Sequence, residues 1–146
     1  MAAFLLGAGH GAQGQDLPKI EVLTEEFPPY SYTEKGAVKG LSTEIVTKVL
    51  ENAGFSYTIT VLPWARALAS AQVEPNTLIY SIGRNPQREN LFQWVGVIAP
   101  SDFYFFALAT RDDISMNSLD DAKKFIIGTT RNDVREQYLV SQGFLM

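Results

Sequence analysis

Phe55, Tyr57, Ile59 and Val61 alternate with polar neighbours, the period of a half-buried strand, and the pattern predicts a strand over Phe55–Leu62. Before it, Ile45, Val46, Val49 and Leu50 recur at helical spacing; after it, Trp64, Ala67, Leu68 and Ala71 do the same. Ser42 is placed to N-cap the first of these helices, Gly54 to stop it, and Pro63 to open the second at its first turn. Lys19–Thr24 reads as a strand ahead of the first helix, and the β-branched run Leu78–Ile82 as one behind the second. Strands that alternate with helices predict βαβ units and a parallel sheet.

The interruptions are as regular as the elements. Glu25-Glu26-Phe27-Pro28-Pro29-Tyr30 breaks the first strand, because two prolines cannot continue a ladder, and a stiff loop then presents Phe27, Tyr30 and Tyr32. Gly36 and Gly40 bracket a short hairpin-like return. Gly83, Asn85 and Pro86 end the third strand, a polar turn carries Arg84 and Arg88, and Phe92, Trp94 and Val95 resume at period two. Trp94–Ala99 and Phe103–Ala109 read as extended segments either side of Pro100-Ser101-Asp102, forming a hairpin or a crossover between two lobes. Ser118 and Asp121 make a capping box for a short helix that ends at Lys123-Lys124; Phe125–Thr129 reads as a buried strand. Asp133 is the expected N-cap of a last helix with Glu136 three residues on, Val134 and Tyr138 facing inward, and Gly143 as the stop.

Composition narrows the function. With 46% hydrophobic and 19% charged residues the 146-residue chain can bury a core, and a net charge of −4 argues against nucleic acid, which needs clustered Lys and Arg. Cysteine is absent, so neither disulfides nor thiolate metal sites are expected. The one histidine, His10, lies in the N-terminal segment, which removes Ser-His-Asp and Cys-His catalysis and the HExxH zinc motif. No cofactor is implied. Residues 1–14 are small, apolar and uncharged, resembling the hydrophobic part of a secretory signal without its basic start, with Ala12 and Gly14 before a cleavage at Gln15; an unstructured tail is the other reading. Export without a cysteine favours a soluble periplasmic protein over a lipoprotein.

The turn after Leu78–Ile82 carries the candidate chemistry. Free backbone N–H groups at the carboxyl end of a strand, with a guanidinium of Arg84 or Arg88 close by, suit a small anion such as a carboxylate; a surface arginine is the alternative. Trp64, at a strand-to-helix junction, is either a ligand contact in the crevice at the strand ends or a core anchor for its helix. The Phe27–Tyr32 aromatics are either a ligand platform or a self-packed loop.

The order and spacing of Glu26-Phe27-Pro28-Pro29-Tyr30-Ser31-Tyr32, Gly40-Leu41-Ser42-Thr43-Glu44-Ile45, Leu62-Pro63-Trp64-Ala65-Arg66-Ala67-Leu68, Ser81–Trp94 and Ser118–Ala122 resemble the family 3 extracellular solute-binding proteins. The resemblance implies an α/β, periplasmic binding protein-like II fold, with residues 15–101 forming most of lobe 1 and residues 102–146 beginning lobe 2. A full-length member would run well beyond Phe144. It also implies a monomeric, non-enzymatic periplasmic receptor that carries a polar solute, an amino acid above all, to an ABC transporter permease. Two further readings stay open: the sensor domain of a larger membrane protein, and a cyclohexadienyl dehydratase-like enzyme using Glu25 or Glu26 as its acid. Carried onto this sequence, the resemblance has Phe27 and Trp64 sandwiching the ligand beside Tyr30, and Arg88 clamping its carboxylate with Ser81 and the backbone of Gly83. Thr130 to Arg135 would supply the opposing helix N-terminus, with Thr130, Asp133 and Arg135 as its candidate ligand contacts. Gly83 stands where many members have Ser or Thr, and Asn132-Asp133-Val134 replaces the usual Gly-Thr-Thr. Asp133 is either a cap or, facing the cleft, a residue that favours a cationic or hydroxyl-rich ligand.

Overall fold

A computed structural model describes residues 17–145; the signal-like stretch 1–14 lies outside the described residues. Three parallel strands, β1 (Ile20–Thr24), β4 (Tyr57–Val61) and β5 (Thr77–Ile79), form a sheet in the order β4-β1-β5. Residues Ile20–Thr24 pair one-to-one with Tyr57–Val61, and Glu21–Leu23 with Thr77–Ile79. Helix α1 (Leu41–Asn52) crosses from β1 to β4, and helix α2 (Trp64–Val73) crosses back to β5. Right-handed crossovers that run in opposite directions place the two helices on opposite faces. On the α1 face, Val22, Val46, Leu50 and Tyr80 form the buried core, with Phe55, Tyr57, Ile59 and Leu78 around it. Successive strand residues point to opposite faces, so the buried Leu23 faces away from Val22 and toward α2, which packs on β1 and β5.

Between β1 and α1 lies an antiparallel hairpin of β2 (Tyr32–Glu34) and β3 (Ala37–Lys39), turned by Lys35 and Gly36, both with positive φ. It delivers the chain to Gly40, which is the N-cap of α1 in place of Ser42. The main-chain carbonyls of Pro29 and Tyr30 already do a cap's work: Leu41 N donates to Pro29 O at 3.1 Å and Ser42 N to Tyr30 O at 2.9 Å. Gly40 is required for this approach. Its φ is +120°, and a Cβ there would overlap the Tyr30 carbonyl. The inward stripe of α1 is also narrower than its periodicity suggests. Val46 and Leu50 are buried while Ile45 and Val49 are exposed, and Ser42 and Thr43 are buried in their stead. Thr43 can be buried because its hydroxyl bonds the Tyr80 hydroxyl at 2.8 Å and the Lys39 carbonyl at 3.1 Å.

Pro63 is the N-cap of α2 rather than a residue of its first turn. Strand β5 stops at Ile79, short of the expected Ile82, because Ser81 has a φ of +59°, which no ladder accommodates. The segments 92–99, 103–109 and 125–129 carry strand-forming residues without forming strands. A strand is stable only when its N–H and C=O groups are paired, and no strand among the described residues lies alongside them. The chain ends in α3 (Leu119–Ala122) and α4 (Val134–Ser141), which share a second small core of Ala122, Leu139 and Phe144. Ser118 caps α3 as expected, accepting from Asp121 N at 3.2 Å, and the following lysines bind side chains: Lys123 to Asp120 at 2.7 Å and Lys124 to Asp121 at 3.0 Å. In α4, Leu139 takes the inward position expected for Tyr138, which is 55% exposed.

Candidate functional site

Parallel strands end at one edge of the sheet, and where the strand order reverses, here between β1 and β5, the connecting loops diverge and leave a crevice. The loop after β1 brings Glu25–Tyr32 to this edge, the junction after β4 brings Trp64, and the turn after β5 brings Ser81–Arg88. The N-terminal turn of α4, Thr130–Arg135, closes over them.

Asn85 shapes the turn after β5 by accepting from Arg88 N through Oδ1 at 2.9 Å, while its Nδ2 donates to Gln137 of α4 at 2.8 Å. The turn folds Arg88 inward until only 2% of it is exposed. Its Nη1 donates to the Gly83 carbonyl at 3.0 Å and its Nη2 to the Asn132 carbonyl at 2.7 Å. The guanidinium carbon lies 5.6 Å from the centre of the Trp64 ring, a cation–π arrangement, and Trp64 Nε1 donates to the same Asn132 carbonyl at 3.1 Å. Gly83 has no room for a larger residue: a Cβ there would stand 2.7 Å from Val134 Cγ1.

Two buried side-chain atoms among the described residues have no hydrogen-bond partner within the protein, Ser81 Oγ and Arg88 Nε, and both belong to this turn. Nor does any of the carboxylates of the described residues pair with Arg88. Burial therefore lowers the Arg88 pKa from its usual value, and the charge of Asp133 opposes that shift. Asp133, itself buried, caps α4 through Arg135 N at 2.9 Å and pairs with the Arg135 side chain, so it is occupied as a cap. Glu25 is half-buried; burial first, then the Asp133 charge, push its carboxyl pKa up, and Arg135 pulls it down.

The remaining sequence-derived candidates divide. Phe27 stacks on Tyr30 with ring centres 5.2 Å apart, whereas Trp64 takes Arg88 as its partner, so the two faces of the implied sandwich are engaged separately. Thr130 contributes its carbonyl, which accepts from Asp133 N at 3.2 Å. A cleft of about 440 Å³ opens at the same edge, lined by Glu25, Glu26, Thr33, Val61, Leu62 and Pro63. Gln137 and the Asn132 carbonyl had no signal in the sequence. The first acts only by meeting Asn85 in space, and the second is a main-chain atom whose position depends on a left-handed residue, with φ +60° at Asn132.

The family model of the bacterial extracellular solute-binding proteins, family 3, matches residues 20–124. The chain belongs to this family. Among solved structures, it is similar to the arginine-, lysine-, histidine-binding protein ArtJ of Geobacillus stearothermophilus, at 25% identity and a TM-score of 0.45, over 50% of this chain and 32% of that one. It is also similar to an ancestral arginine-binding protein bound to arginine, at 14% identity and a TM-score of 0.46, over 53% of this chain and 35% of that one. The chain thus spans about a third of the length of these structures. Comparison with the curated proteins finds no match. No helix among the described residues is long and apolar enough to cross a membrane.

Proposed function

We propose that this family 3 chain recognises a small polar solute, an amino acid above all, by its carboxylate, and releases it chemically unchanged. The observation that carries the reading is Arg88. An arginine only 2% exposed, with no carboxylate partner and one guanidinium nitrogen without any acceptor, is costly as it stands and becomes favourable when an anion pairs with it. The neighbouring Ser81 hydroxyl, also without a partner, offers a second donor.

In this reading residues 15–101 are most of the first lobe and residues 102–146 open the second, whose helix α4 stands across the crevice. The protein is a monomeric periplasmic receptor that hands its solute to the permease of an ABC importer. Ligand-linked stabilisation tests it. A thermal-shift screen of the protein against amino acids, polyamines and small carboxylates is expected to raise Tm for amino acids and not for polyamines, since a ligand bound only to the folded state stabilises it. A panel in which polyamines alone raise Tm contradicts the carboxylate reading.

A further inference from the structure

A guanidinium offers a carboxylate two parallel N–H groups along its Nε/Nη2 edge, and this chain uses that edge twice on its surface. Arg84 grips Glu89 with Nε at 2.8 Å and Nη2 at 2.5 Å, and Arg111 grips Asp113 with Nε at 2.7 Å and Nη2 at 2.6 Å. The same edge of Arg88 is half-filled. Nη2 donates to the Asn132 carbonyl, Nε has no partner, and the other nitrogen, Nη1, is tied back to Gly83. A single carbonyl oxygen therefore stands where a carboxylate would place two.

We propose that the Asn132 main-chain carbonyl is an internal stand-in for the ligand carboxylate, holding the first turn of α4 against Arg88 until a carboxylate displaces it. The inference rests on the reading of Arg88 as the carboxylate clamp and adds how that clamp is closed and opened. The exchange is favourable in direction. A neutral carbonyl is replaced by a charged acceptor that also satisfies Nε. It is transmitted, because the same carbonyl accepts from Trp64 Nε1 and lies in the turn that starts α4, so one displacement frees the indole and releases the helix end together. The stand-in is placed by backbone geometry. Asn132 has φ +60°, its N–H donates to Glu136 Oε2 at 2.6 Å, and Asn is among the few residues that hold this conformation readily.

Two measurements on the whole chain test this, with sodium acetate as the minimal carboxylate and glycine as the minimal amino acid. The first follows the Trp64 indole N–H and the Arg88 side-chain N–H signals by NMR during the titration, with Trp94→Phe to assign the indoles. The proposal expects both to shift together and the Trp64 indole to lose protection from solvent exchange. Movement of Arg88 with an unmoved Trp64 indole overturns the stand-in and leaves the clamp intact. No movement of either signal overturns the clamp, and the stand-in with it. The second is Asn132→Val, whose β-branched side chain disfavours positive φ and so weakens the stand-in. Acetate is then expected to bind about threefold more tightly or better, because less competition must be displaced. Unchanged or weaker binding overturns the proposal. Should this variant fail to fold, the titration of the native chain still decides.

Discussion

Replacing Gly83 with alanine should loosen the contact between the β5 turn and α4, and the size of the effect follows from one distance. The new Cβ would lie 2.7 Å from Val134 Cγ1 and 3.2 Å from Val134 Cβ, where carbon atoms ordinarily rest at about 3.5–4.0 Å. A rotation of the valine cannot resolve this, because its Cβ is crowded as well, so the first turn of α4 must withdraw by up to about 1 Å. Overpacking of this kind costs about 1–3 kcal/mol, and the smaller entropy of the unfolded alanine chain returns about 0.4–1 kcal/mol. Gly83→Ala is therefore expected to destabilise the protein by up to about 2.5 kcal/mol. Withdrawal of α4 also lengthens the two bonds to the Asn132 carbonyl, so tryptophan emission should shift in the native baseline. Urea unfolding of the native chain, Gly83→Ala, Val134→Ala and the double variant forms the cycle that checks this. Alanine at 83 is expected to be tolerated once Val134 is shortened, giving a favourable coupling of about 1 kcal/mol. Additive effects, or a stabilising Gly83→Ala in the native background, refute the contact.

Three further outcomes are expected. Gly40→Ala forces a side chain at φ +120° onto the carbonyls of Pro29 and Tyr30, and a loss of more than about 2 kcal/mol in urea unfolding is expected; no loss would show that these carbonyls do not cap α1. Asp121 is held down to about 2, first by Lys124, then by the Asn117 N–H and Ser118. Its folded pKa is below its unfolded value of 3.8, so its contribution is present above about pH 4 and lost as the pH falls through about 2; the NMR titration of its carboxyl should centre near 2, and a midpoint near 4 refutes the Ser118–Asp121–Lys124 arrangement. Arg88→Ala should weaken amino-acid binding by about 30-fold or more in calorimetry, because the carboxylate would be left buried and unpaired; unchanged affinity removes Arg88 from the site.

The first half of the fold was legible because its signals are local. Period-two alternation marked β4, helical spacing marked α2, and Gly54 and Gly143 sit with positive φ where the helices stop. What depended on distant partners was not. Ser42 had the chemistry of a cap, yet the Pro29 and Tyr30 carbonyls arrived first, and that meeting is fixed by the hairpin β2–β3 and not by the residues around Ser42. Phe103–Ala109 has the composition of a strand, but composition does not provide a neighbour to pair with.

The turn after β5 was legible as a local feature, but its partners were not. Arginine beside a glycine-containing turn at a strand end is a local pattern that marked the turn with Arg84 and Arg88, whereas the choice of Arg88 with Ser81 and Gly83 came from the family resemblance; these three lie together in one turn. The Asn132 carbonyl could not be read in this way, since every residue carries the same main-chain group and only the fold places one of them on Arg88. The reason for Gly83 was equally hidden, because it lies in Val134, on a helix 51 positions away.

The most direct test of carboxylate recognition compares an amino acid with the amine that remains when its carboxylate is removed. Isothermal titration of the best-binding amino acid from the thermal-shift panel, and then of its decarboxylated amine, isolates the one group that Arg88 is held to recognise. The amino acid is expected to bind measurably and the amine not at all at the same concentrations. Equal affinity for the two would contradict it, and would move recognition from Arg88 to the acidic side of the crevice at Glu25 and Glu26.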